Sequence, residues 1–270
     1  MFEIKKFNSG EWNVKLIERI HGNEAVIHCN WFDESQRDVM LLLMKIGAIK
    51  KQYGMIPIVV NAPYLPYSRQ DRIFEVGQDI PIETLVKAIT GRYSDIFIKT
   101  MGLHCGNYFK NVFNKKIDID FQQFTGSGSK IVFPDINAEY HFESNYTTGN
   151  FYNYANSFIY LNKQRDNTGI KLTIQDNSQK YIGGKYAHYL ICDDICDGGR
   201  TFVEAAKLLK AQGSDDITIE LMIYHAFMTH GLDDLKAAGI SKIKIINPDS
   251  YEYVINKFPE NKNYFELITI

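Results

Sequence analysis

Short apolar runs alternate along this chain with stretches whose apolar residues recur every three or four positions. That alternation predicts an α/β protein built on parallel sheets. In the first half Glu24–His28 reads as a strand and Asp33–Tyr53 as a long helix. Its Val39, Leu42, Leu43 and Ile46 recur at helical spacing and are most simply core. The strand Ile56–Val60 follows, then an Arg-rich loop, then a helix near Ile82–Ile89 introduced by Pro81. Asp95–Lys99 is another strand, ending near Gly102-Leu103-His104-Cys105-Gly106. The Gly/Ser stretch Thr125-Gly126-Ser127-Gly128-Ser129 reads as a linker and divides the chain into residues 1–125 and 126–270. The second half runs through Ile131-Val132-Phe133-Pro134-Asp135, Ser157–Leu161 and the polar Lys163-Gln164-Arg165-Asp166-Asn167. The strand Ile217–Tyr224, a short helix near Leu232–Ala238 and the strand Ile243–Ile246 lie toward its end. The two halves show no sequence repeat.

The segment Tyr189-Leu190-Ile191-Cys192-Asp193-Asp194-Ile195-Cys196-Asp197-Gly198-Gly199-Arg200-Thr201-Phe202 carries the most chemistry. Its apolar start is a buried strand, and Phe202, Ala205, Ala206 and Leu209 mark a helix opened by Thr201 and closed by Gly213. The loop between them offers backbone N–H groups and a helix N-terminus to an anion. Asp193 and Asp194 fall at the strand's carboxyl end, where open α/β sheets bind ligands. Carboxylates beside a phosphate site repel the ligand unless they hold sugar hydroxyls or a cation. Phosphate plus vicinal diol describes a ribose 5-phosphate. A second polar segment, Asn61-Ala62-Pro63-Tyr64-Leu65-Pro66-Tyr67-Ser68-Arg69-Gln70-Asp71-Arg72, follows the strand ending at Val60. There Arg69 and Arg72 offer fixed forks for triphosphate oxygens, while Gln70 and Asp71 can orient them or bond a base.

Size and composition leave this picture intact. At 270 residues and 45% hydrophobic, the chain has room for one large or two ordinary globular domains. A net charge of −2 gives no indication of a nucleic-acid or membrane partner. No 18-residue apolar span and no signal peptide is visible. Cys29, Cys105, Cys192 and Cys196 lack paired zinc spacing and read as reduced thiols of a cytoplasmic protein.

The Tyr189–Phe202 segment resembles the ribose-phosphate loop of type I phosphoribosyltransferases and of phosphoribosyl pyrophosphate synthetases, the ribose-phosphate diphosphokinases. By itself it does not choose between them. Asn61–Arg72 is similar to the ATP-binding segment of the synthetases, which the transferases lack. The chain is identified as a short, divergent relative of the synthetases over most of its length. The resemblance implies an α/β fold of two type I phosphoribosyltransferase-like domains, each a mainly parallel sheet flanked by helices. Residues 1–125 would form the ATP side and 126–270 the ribose-phosphate side. Phe7-Asn8-Ser9-Gly10-Glu11 resembles the segment that reaches a neighbouring subunit's adenine. Phe7, Asn8 and Glu11 thus join Arg69, Gln70, Asp71 and Arg72 as ATP-binding residues, and a homo-oligomer, dimer or hexamer, is implied. Gly102-Leu103-His104-Cys105-Gly106 takes the place of an Asp-Leu-His-Ala-Gly motif. Phe133-Pro134-Asp135 matches the start of the pyrophosphate loop, and His225 matches a Thr-His-Gly position more loosely.

The implied reaction moves the β,γ-diphosphate of ATP to the anomeric hydroxyl of a ribose 5-phosphate unit and releases AMP. By resemblance Lys163, Arg165 and His104 are catalytic, and His104 and Asp135 are metal ligands for Mg²⁺. Asp193 and Asp194 would hold the ribose hydroxyls, and Asp197, Gly198, Gly199, Arg200 and Thr201 the 5-phosphate. Several departures stand out. The chain begins about one strand and one helix late and lacks the family's last helix. Gly102 replaces an Asp, Ile136-Asn137-Ala138-Glu139 replaces an Ala-Gly-Gly, and Arg200 replaces a Gly. An added Arg can meet a second phosphate, as in ADP-ribose, or turn outward. Some viral relatives are understood to make a pyrophosphorylated ADP-ribose while rebuilding NAD. A phosphoribosyltransferase and a catalytically silent regulatory relative are the other readings.

Overall fold

The computed structural model describes residues 1–32, 39–105, 109–117, 129–145, 158–166, 169–181, 187–212 and 216–268. The expected helix start at Asp33, the position of Gly106, residues 125–128 of the linker, Ser157, Asn167 and Gly213 lie outside these residues. The chain forms two compact units, Met1–Lys115 and Lys116–Ile270.

The first unit opens with an antiparallel hairpin, β1 (Phe2–Lys6) and β2 (Trp12–Leu16). Next come β3 (Ala25–His28), α1 (Val39–Tyr53), β4 (Ile58–Asn61), α2 (Pro81–Thr90), β5 (Ile96–Met101) and β6 (Val112–Lys115). The four-stranded sheet has the order β3-β4-β5-β6, and every pairing is parallel. Ile58, Val59 and Val60 are all buried. Both faces of a parallel sheet are covered, so such a strand shows a continuous apolar run rather than an alternating one. In α2 the buried residues are Ile82, Leu85, Val86 and Ile89, one stripe at helical spacing, with Pro81 in the first turn.

The second unit contains β7 (Lys130–Phe133), α3 (Ile136–Ser144), β8 (Phe158–Asp166), β9 (Gly169–Ile174) and β10 (His188–Cys196). It continues with α4 (Arg200–Ala211), β11 (Thr218–Ala226), α5 (Asp233–Ala237), β12 (Ile240–Ile245), α6 (Pro248–Lys257) and β13 (Phe265–Leu267). Its seven-stranded sheet has the order β13-β12-β11-β10-β7-β8-β9. All neighbours are parallel except β8 and β9. The α/β architecture expected from the sequence is the one observed.

Three details differ from the sequence reading. Residues 136–139, matched to a pyrophosphate loop, are the first turn of α3. Asp135 starts that helix by accepting the Ala138 N–H at Oδ1, 2.9 Å away. The polar run from Lys163 continues β8 and pairs with β9 as an antiparallel hairpin at the sheet edge. Finally, α6 follows β12, with Asn247 Oδ1 accepting the Asp249 N–H (3.0 Å) and Pro248 at the first position.

Candidate active site

In the second unit the parallel strands β7, β10 and β11 all deliver their loops to one edge of the sheet. Asp135 lies two residues beyond β7, and Lys163 lies on the adjacent β8. The Lys163 Nζ stands 3.1 Å from Asp135 Oδ2, with only 13% of the lysine side chain exposed. Asp193 and Asp194 sit near the end of β10, on the other side of β7. The Asp194 N–H donates to Asp193 Oδ1 (2.9 Å), and Asp194 is only 3% exposed. Burial holds the Asp193 carboxyl well above the usual carboxylate range, and the Asp194 charge pushes the same way. Asp135 also raises it, whereas Lys163 opposes the shift. The structure thus joins Asp135, Lys163, Asp193 and Asp194 in one cluster of three carboxyls and one cation. The backbone of Arg165 lies two residues along β8 from Lys163; its side chain is outside the described ones.

Beyond β10, Asp197 and Gly198 form a bend and Gly199 precedes α4. Gly199 has φ +79°, and a Cβ there would meet Leu235 at 3.1 Å. Both the backbone and the space therefore call for glycine. Its carbonyl accepts the Phe202 and Val203 N–H groups, so α4 begins directly on the loop and turns its positive end toward it. Arg200 is exposed, yet its guanidinium carbon lies 3.8 Å from where a Gly169 Cβ would stand. The side chain therefore runs to the β8–β9 hairpin that carries Lys163. Thr201 occupies the first turn of α4.

Two expectations for this unit are corrected. Glu139, in the stretch matched to the pyrophosphate loop, is instead a helical residue whose Oε1 accepts the Tyr160 hydroxyl at 2.6 Å. His225 is 1% exposed and hydrogen-bonded through Nδ1 to Asn247 Nδ2 (3.1 Å), which makes it part of the scaffold beneath the loops. A literal Thr229-His230-Gly231 occurs five residues later, and His230 lies against Gly198. Sequence reasoning passed over it.

In the first unit Phe7, Asn8 and Glu11 form the exposed tip of the β1–β2 hairpin. The Phe7 N–H bonds Glu11 O (2.8 Å), and the Ser9 hydroxyl bonds Glu11 Oε2 (2.9 Å). Arg69, Gln70, Asp71 and Arg72 lie on the loop leaving β4, in which Leu65 and Ser68 are buried anchors. Asp71 Oδ1 is buried, 3.6 Å from Arg72 Nε. His104 is half-buried in the loop leaving β5, the strand next to β4. Burial, with the Asp71 charge beside it, pushes the neighbouring Cys105 thiol up to about 12, so the Arg-rich loop and the His104 loop converge. Cys29, Cys105, Cys192 and Cys196 are free and buried. Among the described residues no three His, Cys, Asp or Glu side chains are arranged to hold a metal ion. Nor is any described helix long and apolar enough to cross a membrane.

Fold and site together define a two-unit, phosphoribosyltransferase-like α/β protein. Residues 1–91 match the family model of the N-terminal domain of ribose phosphate pyrophosphokinase. A ribose-phosphate pyrophosphokinase of Pyrococcus abyssi is 26% identical over 265 residues, covering 91% of this chain and 83% of that protein. One from Thermosipho africanus is 27% identical over 271 residues, covering 95% and 80%. The crystal structure of a phosphoribosylpyrophosphate synthetase from Mycobacterium smegmatis shares the fold, with a TM-score of 0.68, 18% identity, and 99% and 85% of the two chains covered. Over most of its length the chain is similar to the ribose-phosphate pyrophosphokinases.

Proposed function

We propose that this protein is an ATP-dependent diphosphokinase acting on the anomeric hydroxyl of a ribose 5-phosphate unit. The observation that carries the reading is the cluster of Asp135, Lys163, Asp193 and Asp194 beside the 197–201 loop. The sugar's anomeric oxygen forms a bond to the β-phosphorus, the bond from that phosphorus to the α-phosphate oxygen breaks, and AMP leaves with the electron pair. The hydroxyl proton passes to solvent. The nucleophile belongs to the substrate, so the protein's work is positioning and charge neutralisation. Asp193 and Asp194 hold the ribose hydroxyls, which donate hydrogen bonds to the carboxyl oxygens. Lys163 exchanges Asp135 for the transferring group. Arg69, Gln70, Asp71, Arg72 and His104 bind the nucleotide. Asp135 presents a hard carboxylate oxygen that would hold Mg²⁺, and one or two such groups suffice when phosphates complete the shell. When bound, the ion withdraws charge from the phosphate oxygens.

The acceptor is free ribose 5-phosphate or ADP-ribose, and the placement of Arg200 favours the second. Its guanidinium bridges from the phosphate loop toward the Lys163 hairpin, where a second phosphate of the acceptor would run. Arg200→Gly is expected to shift preference toward ribose 5-phosphate by about tenfold, the effect of one charge-assisted bond of ~1.5 kcal/mol. The ratio of the two specificity constants measures it, and an unmoved ratio excludes Arg200 from selecting the acceptor. Arg69→Ala and His104→Ala should each lower turnover by about tenfold, roughly the value of one hydrogen bond to a charged group. Unchanged turnover with native circular dichroism would remove these residues from the nucleotide site. The central experiment incubates the protein and Mg-ATP with ribose 5-phosphate or ADP-ribose separately and identifies products by mass. AMP together with a pyrophosphorylated sugar is expected, and ATP intact with both acceptors rejects the proposal.

A further inference from the structure

The loop leaving β11 is fastened residue by residue to the loop leaving β10. The Phe227 N–H donates to Cys196 O at 2.8 Å and the Thr229 N–H to Asp197 O at 3.0 Å. The Thr229 hydroxyl adds a bond to Asp197 Oδ1 at 2.9 Å. At the next step the His230 ring lies on Gly198. A Cβ at Gly198 would stand 2.8 Å from His230 Nδ1 and 2.9 Å from Cε1, closer than real side-chain carbons come. Glycine at 198 is thus what lets an imidazole sit on the ribose-phosphate loop.

The 227–231 loop is itself held under constraint. Lys257 Nζ donates to Phe227 O at 3.0 Å and to Met228 O at 3.2 Å. Met228, the residue between the two fastened positions, has φ +49°, a left-handed conformation costly for a non-glycine. Yet this anchored loop ends in Thr229 and His230, both exposed. Exposed side chains add little to stability, so the anchoring has a different product: an imidazole fixed at the mouth of a loop that also receives the positive end of α4. His230 and Arg200 then flank the glycine pair from its two ends.

We propose that His230 is a specificity-determining residue that donates a ring N–H to the acceptor's phosphate. This rests on the ribose-phosphate reading of the 197–201 loop. The assignment gives Gly198 a second purpose besides backbone approach: it admits the imidazole as a side-chain donor to a site otherwise built of main-chain groups.

The test titrates ribose 5-phosphate, ADP-ribose and unphosphorylated ribose into the full-length chain saturated with Mg²⁺ and a non-hydrolysable ATP analogue. His230→Ala should weaken both phosphorylated acceptors by about tenfold, the worth of a charge-assisted hydrogen bond. Ribose and ATP-analogue affinity should stay unchanged. His230→Gln keeps an N–H donor and should lose less. Gly198→Ala should weaken the acceptors in the wild-type background and much less in His230→Ala, since the displaced imidazole is then already gone. Equal acceptor affinity in wild type and His230→Ala overturns the role of His230 alone. A parallel loss for ribose and ribose 5-phosphate means the loop has collapsed and overturns it too. Wild type that binds neither phosphorylated acceptor takes the ribose-phosphate reading down with it.

Discussion

Lys163→Ala is expected to lower turnover by about a hundredfold or more while leaving affinity for an ATP analogue within about twofold, the range found when one preorganised donor to developing charge is removed. Lys163 is the single cation among Asp135, Asp193 and Asp194 in the described cluster, and its Nζ is 3.1 Å from Asp135 Oδ2. Without substrate it neutralises carboxylates. When a diphosphate passes through this edge of the sheet, charge accumulates on the transferring oxygens, and the same ammonium supplies a counter-charge. Alanine removes that stabilisation. It also removes the cation that opposes the upward shift of the Asp193 carboxyl. Both effects fall on the reacting complex rather than on nucleotide capture, because the residues assigned to the nucleotide lie on other loops. Single-turnover rates and analogue affinity, measured side by side, separate the two. A variant whose turnover stays within threefold of wild type would show that Lys163 only balances Asp135 in the resting protein.

Much of this architecture could be read from the chain, for a physical reason. Strands buried on both faces, such as Ile58–Val60 and Tyr189–Cys192, leave unbroken apolar runs, and α2 leaves a full stripe at helical spacing. The paired aspartates and the glycine loop after β10 were legible because strand, loop and helix follow one another in sequence. The rest depends on contacts between distant segments. Lys163 and Asp135 are 28 residues apart, and only the order β10-β7-β8 brings them together with Asp193. The polar Lys163 run looks like a loop because the buried residues of this edge hairpin, Leu161 on β8 and Leu172 and Ile174 on β9, lie outside it. Helix α3 was hidden because Ile136 and Tyr140 point to solvent while Ala138 and Phe142 are buried, which leaves a stripe too narrow to register. His230 was marked by the literal Thr229-His230-Gly231, but its partner Gly198 is reached only through the parallel register that aligns Cys196 with Ala226. Helix α6 too was missed despite a readable cue, the Asn247-Pro248-Asp249 cap.

Acid should loosen the second unit through Glu220, and Glu220→Gln should abolish that sensitivity. A row of polar and charged side chains crosses four neighbouring strands of the sheet: His188 on β10, Glu220 on β11, Lys244 on β12 and Glu266 on β13. His188 Nε2 is 3.0 Å from Glu220 Oε2, and Lys244 Nζ is 2.5 Å from the same oxygen. The Lys244 side chain is only 7% exposed and that of Glu220 14%. Burial alone would raise the Glu220 carboxyl. The hydrogen bonds from His188 and Lys244, with the Lys244 charge, outweigh it and bring it down to about 2 from its ordinary 4.5. A carboxyl lowered by folding stabilises the folded state fully above its unfolded value, and the contribution is lost as pH falls toward its folded value. The window here is therefore between about pH 4.5 and about pH 2, and the size is at most about 3 kcal/mol. Glutamine cannot ionise, and among the described residues it leaves the buried Lys244 ammonium with Glu266, 3.7 Å away, as its carboxylate partner. The variant should therefore be less stable than wild type by about 2–3 kcal/mol at pH 7, as expected for an uncompensated buried charge partner, and the deficit should shrink steadily below pH 4.5. Hydrogen exchange of the β11 and β12 amides as a function of pH reads this directly, because it reports opening of these strands and not of the first unit. Protection that falls in parallel for both proteins down to pH 2 would mean that other carboxyls, not Glu220, govern acid unfolding.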